Sequence, residues 1–259
     1  MSAITAHCLV KNEEIFIEAV IRSAVDFVSI IIVYDTGSTD KTCEIISNLI
    51  KEYPNKIIFE EKGECDKKRH TELRQEMIDR TETDWFMILD GDEVWPRQTL
   101  EEAFQIIRND SRIECIVVPF YLCVGDIYHR YFREGKIEML GTKGFLYPRF
   151  IKKVNGVHWR GDYNLDSLMT NDGQVFVAKN NSVILKNKFW HLTHLLRSIK
   201  DDEDYSSGGD RRAKRRLTYF VIGKEINEPV PEVFGNKNDF KLSRLRSFKN
   251  FFSLVIDKL

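Results

Sequence analysis

Net charge is what this 259-residue chain has least of: 39 lysines and arginines stand against 40 aspartates and glutamates, leaving −1 with histidine neutral. No global field draws such a chain to nucleic acid, and any anion site has to be a local cluster. Cysteine is also scarce. The five residues Cys8, Cys43, Cys65, Cys115 and Cys123 are odd in number and scattered without metal-ligand spacing, so they read as reduced thiols in a reducing compartment. Long apolar runs are missing too. No stretch reaches the length of a membrane span, and the one before Lys11, Glu13 and Glu14 is too short for a secretory signal; the expectation is a soluble, cytoplasmic protein. No internal repeat is visible. What is present is a hydrophobic fraction of 42%, enough for one large domain or one domain with a C-terminal appendage.

The first 120 residues alternate between two kinds of segment. An apolar stretch at 3–10 is followed by Ile15, Phe16, Ala19, Val20 and Ile21 at helical spacing, with Asn12 as its cap and Glu13 and Glu14 at the positive helix end. A β-branched run at 28–34 precedes a helix carrying Ile45, Ile46, Leu49 and Ile50, for which Ser38 or Thr39 is the expected cap. Strands at 57–59, 85–89 and 113–120 alternate with helices near 67–80 and 97–108. Continuous apolar strands between helices imply an α/β fold with a mostly parallel sheet covered on both faces. Beyond residue 120 the segments 128–132, 145–151 and 175–178 read as strands of a smaller, more antiparallel region. From His191 onward the pattern reads as helical, broken by loops at Ser206-Ser207-Gly208-Gly209 and at Pro229 and Pro231. The expected division is an α/β half at 1–120, a more antiparallel region of the same domain at 121–205 and a helical appendage at 206–259. In that appendage Leu242, Leu245, Phe248, Phe252, Val255, Ile256 and Leu259 describe a basic amphipathic helix. It suits packing on its own domain, a peripheral contact with an anionic membrane, or homo-oligomer formation.

Ligands of open α/β sheets sit beyond the carboxyl ends of the strands. Three such ends are polar: Lys11-Asn12, then Asp35 to Asp40, then Asp90-Gly91-Asp92-Glu93. At the last, Phe86 to Leu89 push two carboxylates into one turn, where they repel unless a cation screens them. Mg²⁺ or Mn²⁺ takes few carboxylates and fills its shell with water and phosphate oxygens, which suits a diphosphate substrate. The plainer reading is an acidic surface turn capping the next helix. Asp35 can accept a hydrogen bond from a base N–H or a ribose hydroxyl, and Gly37 lets backbone approach a ligand; turn chemistry is the alternative for both. Asp40 reads as a helix-start residue. The run Arg211-Arg212-Ala213-Lys214-Arg215-Arg216 is either a solvated helix face or a diphosphate clamp.

Taken together, Val10-Lys11-Asn12-Glu13-Glu14, Asp35-Thr36-Gly37-Ser38-Thr39-Asp40-Lys41-Thr42 and Leu89-Asp90-Gly91-Asp92-Glu93 resemble, in order and spacing, the family 2 glycosyltransferases with a GT-A fold. The resemblance covers the first 120 residues well and the remainder loosely. It implies a Rossmann-like sheet and an inverting transfer of a sugar from a UDP-, GDP- or dTDP-linked donor to a hydroxyl of a glycan or other acceptor. By the same resemblance Lys11, Asn12, Asp35, Gly37 and Asp90 surround the donor, and Asp90 and Asp92 flank the divalent metal, with Asp92 the direct ligand. A late histidine, His191 or His194, completes the metal shell, the alternative being a histidine satisfied by local hydrogen bonds. Trp159-Arg160-Gly161 opens the acceptor motif. Its usual His-Glu pair is replaced by Asn164-Leu165, which leaves Asp162 and Asp166 as candidates for the base that deprotonates the acceptor. His158, Arg160 or Arg211 would then supply a cation to the leaving phosphate. Two other readings compete. Asp90-Gly91-Asp92-Glu93-Val94 also fits the first motif of haloacid-dehalogenase-like phosphatases, with Asp90 as nucleophile, although that family opens its core with this strand. The other is a nucleotide-sugar-binding module without a catalytic base.

Overall fold

The computed structural model describes residues 3–162, 167–179, 181–198 and 223–235. Its first half alternates strands Ile4–Val10 (β1), Ile30–Asp35 (β2), Ile57–Glu61 (β3) and Trp85–Ile88 (β4) with helices Ile17–Ala24 (α1), Thr42–Glu52 (α2) and Lys67–Asp79 (α3). A two-residue strand, Glu93–Val94 (β5), leads into helix Arg97–Asn109 (α4) and the long strand Cys115–Val124 (β6). Short pieces follow: His129–Arg130 (β7), Ile137–Met139 (β8), Thr142–Gly144 (β9), Leu146–Lys152 (β10), His158–Arg160 (β11) and Ser167–Met169 (β12). The remainder comprises a one-turn helix Phe176–Lys179 (α5), strands Ser182–Ile184 (β13), Phe189–His194 (β14) and Lys224–Glu225 (β15), and a 3₁₀ turn at Glu232–Phe234.

The central sheet runs β15-β7-β6-β10-β4-β1-β2-β3. Strands β4, β1, β2 and β3 are mutually parallel, and β10 enters antiparallel between β4 and β6. The strands β13 and β14 run parallel beside β6, and β14 also pairs with β5 across the acidic turn. The pleat explains why the parallel strands are apolar throughout. On β2, Ile31 and Val33 join the core under α1, α2 and α4, while Ile32 and Tyr34 join Leu73 and Met77 of α3 on the opposite face. On β4, Met87 and Phe86 divide in the same way. Both faces are therefore covered, as the runs of the sequence required.

Several local expectations change. Asn12 does not cap α1, whose N-cap is Phe16 with no side-chain bond. It adopts a left-handed φ of 56° and instead fastens the next loop: its N–H donates to Ser38 Oγ at 2.8 Å, and its Oδ1 accepts from the Thr39 N–H at 2.8 Å. Ser38 and Thr39 are thereby engaged with β1's loop rather than with α2. Asp40 does start that helix, accepting the Thr42 N–H at 2.9 Å, and Thr42 Oγ1 accepts the Glu13 N–H at 2.8 Å. Of residues 175–178, expected as a strand, Val175 makes only an isolated antiparallel bridge to Met169 and the rest fall in α5, Phe176–Lys179. His191 and His194, expected at the start of a helical stretch, lie on strand β14, because Phe189 and Trp190 pair with Phe120 and Tyr121 of β6. Residues 223–235 add β15 to the sheet edge and bury Ile226, Val230 and Phe234 in the main core. The Arg211 cluster and the amphipathic segment 242–259 lie outside the described residues. Among the described residues no helix is long and apolar enough to cross a membrane.

One polar residue is built into the sheet itself. His7 on β1 stacks on Phe86, with ring centres 4.8 Å apart, and bonds Thr81 Oγ1 through Nε2 at 2.6 Å. The Thr81 hydroxyl proton goes to the Met77 carbonyl at 2.8 Å, so His7 Nε2–H must be the donor. Burial first, then the charges of Arg74 and Lys153, lower the His7 pKa to about 3. The folded state thus prefers neutral His7. Its contribution to stability is complete above pH 6.5 and is lost as pH falls toward 3. At roughly 1.4 kcal/mol per pH unit, this side chain accounts for a loss of at most about 3 kcal/mol between pH 6.5 and 4. Urea unfolding across that interval is expected to show a shallower loss in His7→Gln than in the wild type; equal slopes would remove His7 as the cause.

Candidate functional site

The carboxyl ends of β1, β2 and β4 meet at one edge of the sheet, and their loops are stitched together. Asp35, the last residue of β2, is 2% exposed, and its Oδ2 accepts the N–H groups of Gly37 and Ser38, both at 2.9 Å. Its Oδ1 is buried with no hydrogen-bond partner. Burial and then the Asp35 charge push the neighbouring Cys43 thiol up to about 11. Gly37 has a φ of +88°, and a Cβ placed there would lie 3.2 Å from the Glu64 backbone nitrogen, so only glycine suits this turn. Lys11 reaches across the same gap to Glu64 at 2.8 Å.

The acidic turn begins where β4 ends. The Leu89 N–H bonds the His7 carbonyl at 2.9 Å, the Glu93 N–H closes the turn on the Asp90 carbonyl at 3.1 Å, and the Leu192 N–H ties β14 to the Asp92 carbonyl at 2.8 Å. Between the two aspartates, Gly91 packs so closely that a Cβ would fall 2.9 Å from side-chain carbons of Glu13 and Val10. Asp90 Oδ1 accepts from Arg74 at 3.0 Å and Oδ2 from Arg149 at 3.0 Å. Burial would raise its carboxyl, but the two guanidiniums outweigh it and hold Asp90 below the ordinary carboxylate range. Asp92, 6% exposed, faces His191 Nε2 at 3.5 Å and Arg197 at 3.7 Å. Burial works against the His191 imidazolium, yet Asp92 and Glu93 together raise its pKa. Glu93 is fully buried and bonded to Arg149; burial pushes its carboxyl up to about 7 against that pairing. Arg197 also bonds Glu13 at 2.5 Å.

Four acids, Glu13, Asp90, Asp92 and Glu93, are thus answered by Arg74, Arg149, Arg197 and His191. The like-charge repulsion anticipated for the turn is relieved in large part by the chain's own cations. Among the described residues no group of three or more histidine, cysteine or acidic side chains could by itself hold a metal ion. At this turn the imidazole of His191 is paired with Asp92. His194 sits at the end of β14 opposite Val124, beyond a shift in register that separates it from His191.

Strand β11 is tied to this edge through α3. Gln75 Oε1 accepts the Trp159 N–H at 2.9 Å, and the Arg74 guanidinium lies 5.0 Å from the centre of the Trp159 ring. Arg74 therefore touches both the acidic turn and the strand that carries Trp159. Asp162 follows at an exposed position after Gly161, whose φ is 102°. Asp166 and Arg211 are outside the described residues. Reading the sequence overlooked Arg74, Arg149, Arg197 and the paired roles of Glu13 and Glu93. Arg149 left a signal, a lone charge inside the apolar and aromatic stretch 145–151; Arg74, in a helix crowded with charges, left none.

Residues 8–161, more than half of the chain, match the family model described as Glycosyl transferase family 2. No curated protein sequence matches the chain. Among solved structures, TarS from S. aureus is similar with a TM-score of 0.52 at 15% identity, over 73% of this chain and 36% of that one. A shorter form of TarS matches with a TM-score of 0.52 at 13% identity, over 95% and 74% of the two chains. The mannosyltransferase PcManGT from Pyrobaculum calidifontis, in complex with GDP-Man and Mn²⁺, gives a TM-score of 0.47 at 16% identity, over 86% and 65%. The chain spans 36% of the longer TarS structure, and at these identities the likeness is one of fold. That fold is the GT-A arrangement, here a parallel set of strands continued by a mixed region. With the family model extending from β1 through the acidic turn to Gly161, the chain belongs to glycosyltransferase family 2.

Proposed function

We propose that the chain is an inverting, divalent-metal-dependent transferase that moves a sugar from a nucleotide diphosphate donor to an acceptor hydroxyl. The observation that supports this most is the presence, at one sheet edge, of a half-satisfied buried carboxylate on β2 and an acid–imidazole pair beyond β4. Asp35 Oδ2 is committed to its own turn, which leaves Oδ1 to accept from a base N–H or a ribose hydroxyl. A buried acceptor without a donor costs roughly 1–3 kcal/mol, so a nucleoside that supplies one binds favourably. Lys11, Asn12 and Gly37 border that position.

The donor set at Asp92 and His191 fits Mn²⁺ or Mg²⁺, which bind proteins through one or two side chains and complete their shells with water and diphosphate oxygens. Asp92 Oδ1 and His191 Nε2 already face each other across 3.5 Å. When bound, the ion would supply charge neutralisation at the leaving diphosphate. Asp90, with both oxygens engaged by arginines, takes the role of a fixed negative partner on the donor side. His194 is the alternative imidazole and Arg211 a further cation for the phosphates. On the acceptor side Trp159 offers an aromatic face, and Asp162 or Asp166 takes the hydroxyl proton. The hydroxyl oxygen then bonds to the anomeric carbon as the bond to the diphosphate breaks on the opposite face, inverting the centre. The phosphatase reading would require Asp90 as a nucleophile, and family membership together with its two guanidinium bonds argues against that.

Thermal denaturation with UDP, GDP and dTDP, each with and without Mn²⁺, tests the donor site, since a ligand that binds only the folded state raises its melting temperature. At least one nucleotide is expected to stabilise the protein more strongly with Mn²⁺, and Asp92→Asn is expected to abolish that metal-dependent part. Absence of any shift would overturn the assignment. For the base, Asp162→Asn and Asp166→Asn are compared in a transfer assay over a panel of hydroxyl acceptors. The variant lacking the base should lose 10²- to 10⁴-fold in kcat with its nucleotide shift intact. Donor binding without transfer or donor hydrolysis in the wild type would identify a non-catalytic module.

A further inference from the structure

The register between β10 and β6 shifts between Pro148 and Phe150, which leaves Arg149 as the extra residue of a β-bulge. In a regular strand Tyr147 and Phe150, three residues apart, face opposite sides of the sheet. Here both pack toward the main core, and Arg149 lies with them: its guanidinium is 4.7 Å from the Tyr147 ring centre and 5.7 Å from that of Phe189. A bulge is a device for re-aiming a side chain, and this one delivers a 5%-exposed arginine from the antiparallel half of the sheet to the acidic turn of the parallel half. There a single nitrogen, Nη2, bonds Asp90 Oδ2 at 3.0 Å and also Glu93 Oε1. The two carboxylates stand on either side of Asp92, so the guanidinium grips the turn at both flanks of the residue assigned to the metal.

We infer that Arg149 is a positioning residue of the donor site: from the bulge in β10 it fixes Asp90 and Glu93 and thereby sets the direction in which Asp92 is presented. The inference rests on the reading of this turn as a donor site. Contact with the Tyr147 and Phe189 rings together with two carboxylates suits a broad guanidinium better than a compact lysine ammonium. Removal of the arginine alone leaves Glu93 buried without its counter-charge and endangers folding, so the pair has to be changed together.

Two variants test the role, Arg149→Lys and the double variant Arg149→Met/Glu93→Gln. The first readout is hydrogen exchange at the amides that close the turn, those of Glu93 and Leu192, in variants that retain cooperative unfolding. Exchange at both is expected to rise at least tenfold while the paired amides of β1 and β2 stay protected. The second readout is the affinity for UDP and for GDP with and without Mn²⁺. Only the metal-dependent gain is expected to fall, by about tenfold. Wild-type protection at Glu93 and Leu192 in both variants would overturn the inference, as would an equal loss of metal-dependent and metal-independent binding. Should the wild type bind neither nucleotide, the donor reading fails, while the exchange measurement still decides whether Arg149 holds the turn.

Discussion

The site edge depends on one electrostatic constraint: three carboxylates of one turn and that of Glu13 meet at a corner where all but Asp90 are buried, and their charges are answered by the chain's own cations. Glu13 and the three acids of the turn draw guanidiniums from α3, from β10 and from the loop after β14, together with the imidazole of β14. These elements are a helix, two strands that both pair with β6, and the loop that follows one of them. The network therefore fastens the parallel half of the sheet to the antiparallel half at the place where a ligand of such a sheet would sit.

Much of the donor half was legible because its strands are covered on both faces, which forces them to be continuous apolar runs ending abruptly in polar residues. The strand ending at Leu89 and the acids that follow it could be read directly, and so could the helix start at Asp40. Less legible were features whose cause lies across the fold. Asn12 has the composition of a cap, but the Ser38–Thr39 loop competes for its side chain and wins. The stretch from Phe189 to His194 has too few residues to separate a helical from a strand period, and only the neighbouring β6 decides it. The turn's acids were recognised while their arginine partners were not, since pairing at a separation of 59 residues leaves no trace in local spacing.

The linkage between the acidic turn and the Trp159 strand has a similar origin. Arg74 and Gln75 are adjacent on α3, so their side chains diverge by about 100° and serve two tasks. Arg74 points to Asp90 and lies against the Trp159 ring, whereas Gln75 takes the Trp159 backbone. A single helical turn thus sets the distance between the acidic turn and the strand leading to Asp162. The strand that carries Trp159 is thus held by its backbone as well as by its ring.

Stability alone does not account for this arrangement. Removing paired charges from water costs several kcal/mol per ion, and apolar side chains of similar volume often stabilise a core as well or better. A fold under no other demand would gain little from Glu93 and Arg149 beneath the turn. What the ion network contributes is orientation: dipoles and charges fixed before a ligand arrives need not reorganise when charge develops, and in a water-poor environment their effect is larger than in solution. The same reasoning separates the two aspartates. Asp90 is held ionised by two guanidiniums whose own charges are permanent, so its charge is a constant of the site. Asp92 faces Arg197 at 3.7 Å and an imidazole at 3.5 Å, so of the two acids it is the one with a counter-charge whose protonation is exchangeable.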